Sequence, residues 1–558
     1  MKRLIALLLV ILMTAVFFGC KKIDPDDNND PVEKTDEPAA ETDPPKDEAE
    51  YAVKDAMLLG GRPTNGSCRV FYEIFVGSFS DSDGDGIGDL RGIINRMDYL
   101  NDGDPASGLS LGVEGLWLSP IFKSSSYHKY DVNDYYTIDE SFGTEEDLKE
   151  LIRICHERDV YVILDLPINH TSRGNQWFKD FAEAHRNGDT ASAYYDLYSW
   201  YDSSIDHAPA GRAFSQLIGT THYFECNFSD NMPELNFDSL LARELVYDVA
   251  KHYIELGVDG FRFDAVKYVY YGDHQRSVEF WTEYMNKLRE LNPNLYAVGE
   301  VWDNDLITDK YYPALNCFDF TISQSSGLIA ETAKKGDVNR YTAYVKSYLD
   351  KVQALREGAT IVPFISNHDM DRAAGFLPTA SFAMQMAANL YILGPGSPFI
   401  YYGEELGMRG SRGGADTDAN RRLKMLWGDG DTVRDPNGST YGSANQIDTT
   451  VKDQAADENS LYTYYKKLIM IRKANPEIAE GTYTPIKLSD TKVGGFIASL
   501  GNSSVLVIHN TTGQTQTIDL SLIPGVSVTV LRAVIGMENA SLDGNILTIG
   551  AMTSVVLG

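Results

Sequence analysis

From about residue 69 to 475, short runs of branched and aromatic residues alternate with stretches whose apolar positions recur every three or four residues. Eight runs predict strands: 70–76, 113–120, 160–167, 258–264, 295–300, 317–322, 360–366 and 398–402. Helical periodicity predicts helices over 144–157, 240–256, 278–291, 337–355, 379–392 and 459–474. Eight alternating units over this length predict a (β/α)8 TIM barrel formed by 51–169 and 238–475. The widest gap, 170–237, follows the third strand and is rich in Tyr, Asp, His and Gly, so a small domain is expected to be inserted there. After Pro476 the pattern turns to short alternating runs, such as 505–508 and 526–531, separated by Gly, Asn and Thr. Residues 476–558 are therefore expected to form an all-β domain.

Within the apolar run 258–264, Arg262 and Asp264 stand two apart and share one face of the strand. A buried Arg beside a buried Asp is either a structural ion pair or part of a reaction site. Other strand ends carry similar groups. Asp165, Asn169 and His170 follow the third run, Lys267 the fourth, and Glu300 and Trp302 the fifth, with Asn367, His368 and Asp369 after the seventh. In a barrel these ends converge on one face, where active sites form.

Composition narrows the ligand. A formal net charge of −31 argues against nucleic acid or an anionic membrane surface as partner. With 33 Tyr and 23 Phe, an acidic protein suits a neutral ligand. The N-terminus adds an address. Lys2 and Arg3 precede a short apolar run, Leu4 to Phe18, which predicts a signal peptide over 1–20. Gly19-Cys20 resembles the cleavage site of bacterial lipoproteins and implies lipidation of Cys20; an uncleaved membrane anchor is the alternative. An extracytoplasmic, membrane-anchored protein is expected, at the cell surface or the periplasmic face. Residues 21–50 hold twelve Asp/Glu, four Lys and five Pro, the composition of an extended, disordered linker. Cys68, Cys155, Cys226 and Cys317 are too widely spaced for a metal motif or a disulfide framework.

The stretch Asp81-Ser-Asp83-Gly-Asp85-Gly-Ile87-Gly-Asp89 places acidic residues at positions 1, 3, 5 and 9 of a loop, with Gly at 6. This matches much of a calcium loop, although Gly92 stands where an EF-hand has Glu. Ca²⁺ held by Asp81, Asp83, Asp85 and Asp89, with the Ile87 carbonyl, is the expectation.

Five motifs occur in order: Asp165-Leu-Pro-Ile-Asn-His170, Met232-Pro-Glu-Leu-Asn236, Gly260-Phe-Arg-Phe-Asp-Ala-Val-Lys267, Gly299-Glu-Val-Trp302 and Phe364-Ile-Ser-Asn-His-Asp369. Together they resemble the α-amylase family, glycoside hydrolase family 13, over about 55–558. The resemblance implies the barrel, an inserted domain B and a C-terminal β-sandwich. It makes Asp264 the nucleophile, Glu300 the acid/base and Asp369 the third carboxylate, which holds sugar hydroxyls. Arg262 would fix Asp264, and Asp264 and Asp369 would raise the pKa of Glu300. His170 and His368 would donate to the same sugar, and Tyr130 would be its aromatic platform. Lys267 and Trp302 would border the leaving group. The family usually has His after this Lys; Tyr268 departs from that and leaves the leaving-group contact open.

Tyr127 stands where exo-acting α-glucosidases of the family carry Asp. An open, endo-acting cleft on starch and malto-oligosaccharides is therefore expected of a monomeric enzyme. α-Glucosidase, cyclomaltodextrin hydrolase and glucanotransferase activities remain open on the same fold, as does, remotely, a non-catalytic glycan-binding lipoprotein. A second calcium site, matching Asn169 and the Tyr268 carbonyl, has no further identifiable ligands.

Overall fold

The computed structural model describes residues 68–558. The expected signal peptide, lipidation at Cys20 and linker fall on residues outside those described. Seven parallel strands form one sheet, in the spatial order Asn316–Cys317, Tyr296–Gly299, Gly260–Phe263, Tyr161–Leu166, Gly115–Leu118, Phe71–Ile74 and Phe399–Tyr401. The register sets Phe263 beside both Leu166 and Gly299, so the third, fourth and fifth strands end level with one another. Gly260 opens the fourth strand because a Cβ there would sit 2.1 Å from the Tyr296 carbonyl oxygen.

Two expectations shorten. The sixth strand is only Asn316–Cys317, since Asp319 caps a turn by accepting from the Thr321 amide at 3.1 Å. The seventh forms no ladder. Single parallel bridges, Phe318 with Val362 and Phe364 with Phe399, carry the chain across this arc and close the barrel. Stacked layers of large side chains, among them Phe71, Trp117, Phe318 and Phe399, fill the interior.

The helices follow the apolar periodicity and start where side chains can cap them. Glu145–Glu157 opens with a capping box between Thr144 and Asp147. Leu240–Glu255 is capped by Ser239, Val338–Leu355 by Asp337 and Leu461–Ala474 by Ser460. His274–Leu291 starts earlier than its apolar period because Asp273 caps it. Ala383–Ile392 starts later than expected, after Pro378 and a left-handed Phe382. Among the described residues no helix is long and apolar enough to cross a membrane.

Between the third and fourth strands the chain forms a helix, Gln176–Asn187, and a three-stranded antiparallel sheet in the order Trp200–Asp202, His222–Glu225, Phe214–Gln216. A hairpin of Phe122–Ser124 and Val132–Ile138, which periodicity did not indicate, projects from the barrel beside this insertion. At the C-terminus a five-stranded and a three-stranded antiparallel sheet enclose Leu506, Ile508, Leu547, Ile549 and Val555. The expected strand at 526–531 lies elsewhere, at Leu531–Gly536; Thr529 and Val530 donate their amides to the Gly558 carbonyl and the Gly558 amide donates back to Val530. Cys155, Cys226 and Cys317 are buried and form no disulfide.

Candidate active site

Arg262 is fully buried and organises the carboxyl ends of three strands. Its Nη1 donates to Asp165 Oδ1 at 2.8 Å and to Asp264 Oδ1 at 2.7 Å, and its Nη2 lies 3.4 Å from Glu300 Oε2. The side-chain alternation that set Arg262 and Asp264 on one face thus brings them into direct contact. Three carboxyls around one guanidinium leave an excess of negative charge in a recess. Burial raises Asp165 to about 6 against the pull of Arg262, and Trp117 and Tyr130 donate to its Oδ2 at 3.3 and 2.7 Å.

Glu300 is raised to about 7. Burial is the largest cause and Arg262 opposes it; Asp264 and Asp369 add to the rise. The Ala265 amide donates to Glu300 Oε2 at 2.9 Å. Ala265 is left-handed, φ 51°, an uncommon conformation for a residue with a Cβ. That strain aims its amide across to the neighbouring strand.

His368 is also fully buried. Its Nδ1 bonds Glu73 Oε1 at 2.5 Å, and its Nε2 lies 2.7 Å from the Tyr130 hydroxyl and 3.1 Å from Asp369 Oδ2. Burial pushes His368 down, but Asp369 and Glu73 outweigh it and raise it to about 10. The Tyr130 ring stacks on His368, with centroids 5.5 Å apart. Asp369 is held well below the usual carboxylate range: burial works against this, and His368, then Arg422, more than offset it. Arg422 Nη2 donates to Asp369 Oδ1 at 2.6 Å and its Nη1 to the Tyr127 hydroxyl at 3.1 Å. Tyr127 is half-buried against Phe75. Arg421 donates to the Asp369 carbonyl at 2.7 Å.

Arg422 and Glu73 belong to this site although the sequence reading gave neither a place in it; Asp165, expected there from its strand end, is bonded by Arg262. Glu73 could have been found by the signal that exposed Arg262, a charge inside an apolar strand. Arg422 lies in irregular chain and carries no such signal.

His170 lies on the other wall. It is buried beside the Tyr130 carbonyl, and neither ring nitrogen makes a hydrogen bond of good geometry within the protein. Its ring stands 5.2 Å from that of Phe228. Lys267 is committed elsewhere: it donates to the Trp302 carbonyl at 2.7 Å and pairs with Asp303 at 2.9 Å. Trp302 stacks on Phe320 at 5.1 Å and is 40% exposed at the cleft rim.

In the acidic loop, Asp81, Asp83 and Asp89 bring one carboxylate oxygen each within 4.8 Å of one another. Asp85 is not part of that group of carboxylates and instead accepts from the Ile87 amide at 2.7 Å. Hard oxygen donors in such a group fit Ca²⁺. The loop is tied to the chain beyond Arg422: Thr432 donates to Asp81 at 2.6 Å, and the Arg434 amide to the Gly86 carbonyl at 2.9 Å.

The family model for the alpha amylase catalytic domain matches residues 73–481, and that for the alpha-amylase SusG C-terminal domain matches 493–556. The chain is 33% identical to alpha-amylase 3 of Dictyoglomus thermophilum over 88% of this chain and 92% of that protein. It is 30% identical to an oligo-1,6-glucosidase of Parageobacillus thermoglucosidasius over 80% of this chain and 90% of that one. Among solved structures, Eubacterium rectale Amy13B superposes with a TM-score of 0.82 at 32% identity, covering 90% of this chain and 99% of the other.

Proposed function

Because the chain belongs to the α-amylase family of glycoside hydrolases, family 13, we propose that it is an α-amylase cleaving internal α-1,4 bonds of starch and malto-oligosaccharides with retention. The observation that carries this reading is the shared guanidinium: Arg262 bonds Asp264 at 2.7 Å and reaches Glu300 at 3.4 Å. Retaining hydrolysis needs a nucleophile and an acid/base about 5–5.5 Å apart; the two carboxyls facing one guanidinium from adjacent strands support that pairing.

Arg262 occupies Asp264 Oδ1, so Oδ2 attacks the anomeric carbon. Glu300, protonated near neutrality, gives its proton to the departing glycosidic oxygen. The glycosyl ester on Asp264 is then cleaved by water, whose proton passes to the Glu300 carboxylate. Asp369, fixed by Arg422 and His368, holds the hydroxyls of the distorted ring. Tyr130 provides the apolar floor beneath it, and His170 donates from the opposite wall.

Endo action follows from Tyr127. Its hydroxyl is engaged by Arg422 and it offers no carboxylate to grip a terminal sugar. Amylose should lose iodine staining well before many reducing ends appear, and a chain blocked at its non-reducing end should remain a substrate. Glucose as the sole early product, with blocked chains untouched, favours the α-glucosidase reading that the oligo-1,6-glucosidase relatives keep in view.

We assign Ca²⁺ to Asp81, Asp83 and Asp89, where it would neutralise the clustered carboxylates and hold the loop. The proposed layout is a lipoprotein signal over 1–20, a linker over 21–50, domain B over 170–237 and the C-terminal domain over 476–558. Lipidation at Cys20 would anchor a monomer outside the cytoplasm.

A further inference from the structure

We propose that the leaving-group side of the cleft continues as an aromatic track onto the inserted sheet and holds further glucosyl units of a long α-glucan. The inference rests on the α-glucan hydrolase reading and extends it to chain length. The inserted sheet has two unlike faces. Phe224 turns to the helix Gln176–Asn187, packing edge-on against Phe178 at 4.9 Å. Side chains alternate along strands, so Tyr201, Tyr223 and Phe214 stand on the other face. Tyr201 and Tyr223 are directly paired across the strands, stacked at 5.3 Å, and Phe214 meets Tyr201 edge-on at 5.0 Å. All three are only half-buried.

A chain of pairwise contacts links this face to the cleft. Glu225, opposite Phe214, pairs with Arg212 at 3.1 Å, and Arg212 lies over the Tyr271 ring at 5.3 Å. Tyr271 neighbours Tyr268 at 5.8 Å, and Tyr268 meets Phe228 edge-on at 4.9 Å. Phe228, 46% exposed, adjoins His170. Tyr268 follows Lys267 on the Glu300 side of the site, from which the leaving group departs. Half-exposed rings beside paired charges suit a neutral polymer with apolar ring faces and hydroxyl edges. The Arg212–Glu225 pair leaves no net charge on the track, and the acidic chain disfavours a polyanion. Continuity with the cleft makes the occupant the part of the substrate beyond the scissile bond.

The test compares Tyr201→Ala and Tyr223→Ala with wild type on amylose and on 4-nitrophenyl α-maltoside, which is too short to reach the inserted sheet. kcat/KM on amylose should fall roughly tenfold in each variant, and on the short substrate less than about twofold. Tyr201→Phe keeps the ring and should keep the preference for amylose. In the Asp264→Asn background, each alanine change should weaken amylose binding by a similar factor. Equal losses on both substrates, or unchanged amylose kinetics and binding in variants with wild-type melting temperatures, would overturn the track. A wild type that only trims glucose from chain ends overturns endo action instead; weakened amylose binding in the alanine variants would still support the track.

Discussion

Arg422 donates to Asp369 Oδ1 at 2.6 Å from a position almost closed to solvent. It is the cation that fixes the carboxylate assigned to the sugar hydroxyls, and it arrives from irregular chain 53 residues away. Arg422→Gln should lower kcat/KM by about 100-fold, because a reactive-site group displaced by about 1 Å can cost that much. With the guanidinium gone, Asp369 should protonate at higher pH, and the acid limb of the kcat/KM profile should move up. A loss of activity with an unmoved acid limb would reduce Arg422 to packing.

Asp264→Asn should cost several orders of magnitude in turnover while leaving the fold in place. Arg262 keeps Asp165 at 2.8 Å in that variant, so the buried guanidinium is not left unpaired. Activity within tenfold of wild type, with an unchanged circular dichroism spectrum, would remove Asp264 from the nucleophile's role.

Glu300 must start protonated, so kcat/KM should fall as pH rises through about 7. The same shift bears on stability. Its ordinary value is 4.5 and the fold raises it, so its contribution is fully present below 4.5 and is lost as pH rises through about 7. Glu300→Gln should abolish the alkaline limb seen on aryl glycosides with good leaving groups. It should also flatten the decline of melting temperature across that pH window. An alkaline limb that persists in this variant belongs to another group.

Chelation should lower the melting temperature by several degrees if Ca²⁺ binds only the folded loop. Asp83→Ala is the informative variant. Asp81 and Asp89 also cap loop and helix amides, whereas the Asp83 side chain accepts only from the Asp85 amide, at 3.1 Å. Asp83→Ala should remove most of the chelator response, and Asp85→Ala should remove less. A full response in Asp83→Ala would place the ion elsewhere.

Most helices and strands were legible because periodicity encodes which face is buried, and capping residues mark the starts. The pairing of Arg262 with Asp264 was legible for a related reason: two charges on one face of an apolar strand need partners, and the structure sets them 2.7 Å apart. The sixth and seventh strands were overcalled because an apolar run shows that a segment is buried, not that it forms a ladder. Residues 360–366 are buried throughout, yet form two single parallel bridges and scattered hydrogen bonds in place of a continuous ladder. Loop partners were illegible. Glu73 meets His368 across 295 positions, and nothing local to either residue encodes the meeting. The same holds for the hairpin that presents Tyr130: its bulged register leaves no clean alternation to read.

The barrel's closure by isolated bridges divides the site into a fixed jaw and an adjustable one. Asp264 and Glu300 hang from strands laced by a continuous ladder and face one guanidinium, that of Arg262 on the same ladder. His368 and Asp369 follow the arc that lacks a ladder, and side chains of Glu73, Arg421 and Arg422 set their position instead. Single substitutions can therefore retune the grip on the sugar without disturbing the spacing of the reacting pair. In such a scaffold, substrate preference can drift while the chemical step stays constant.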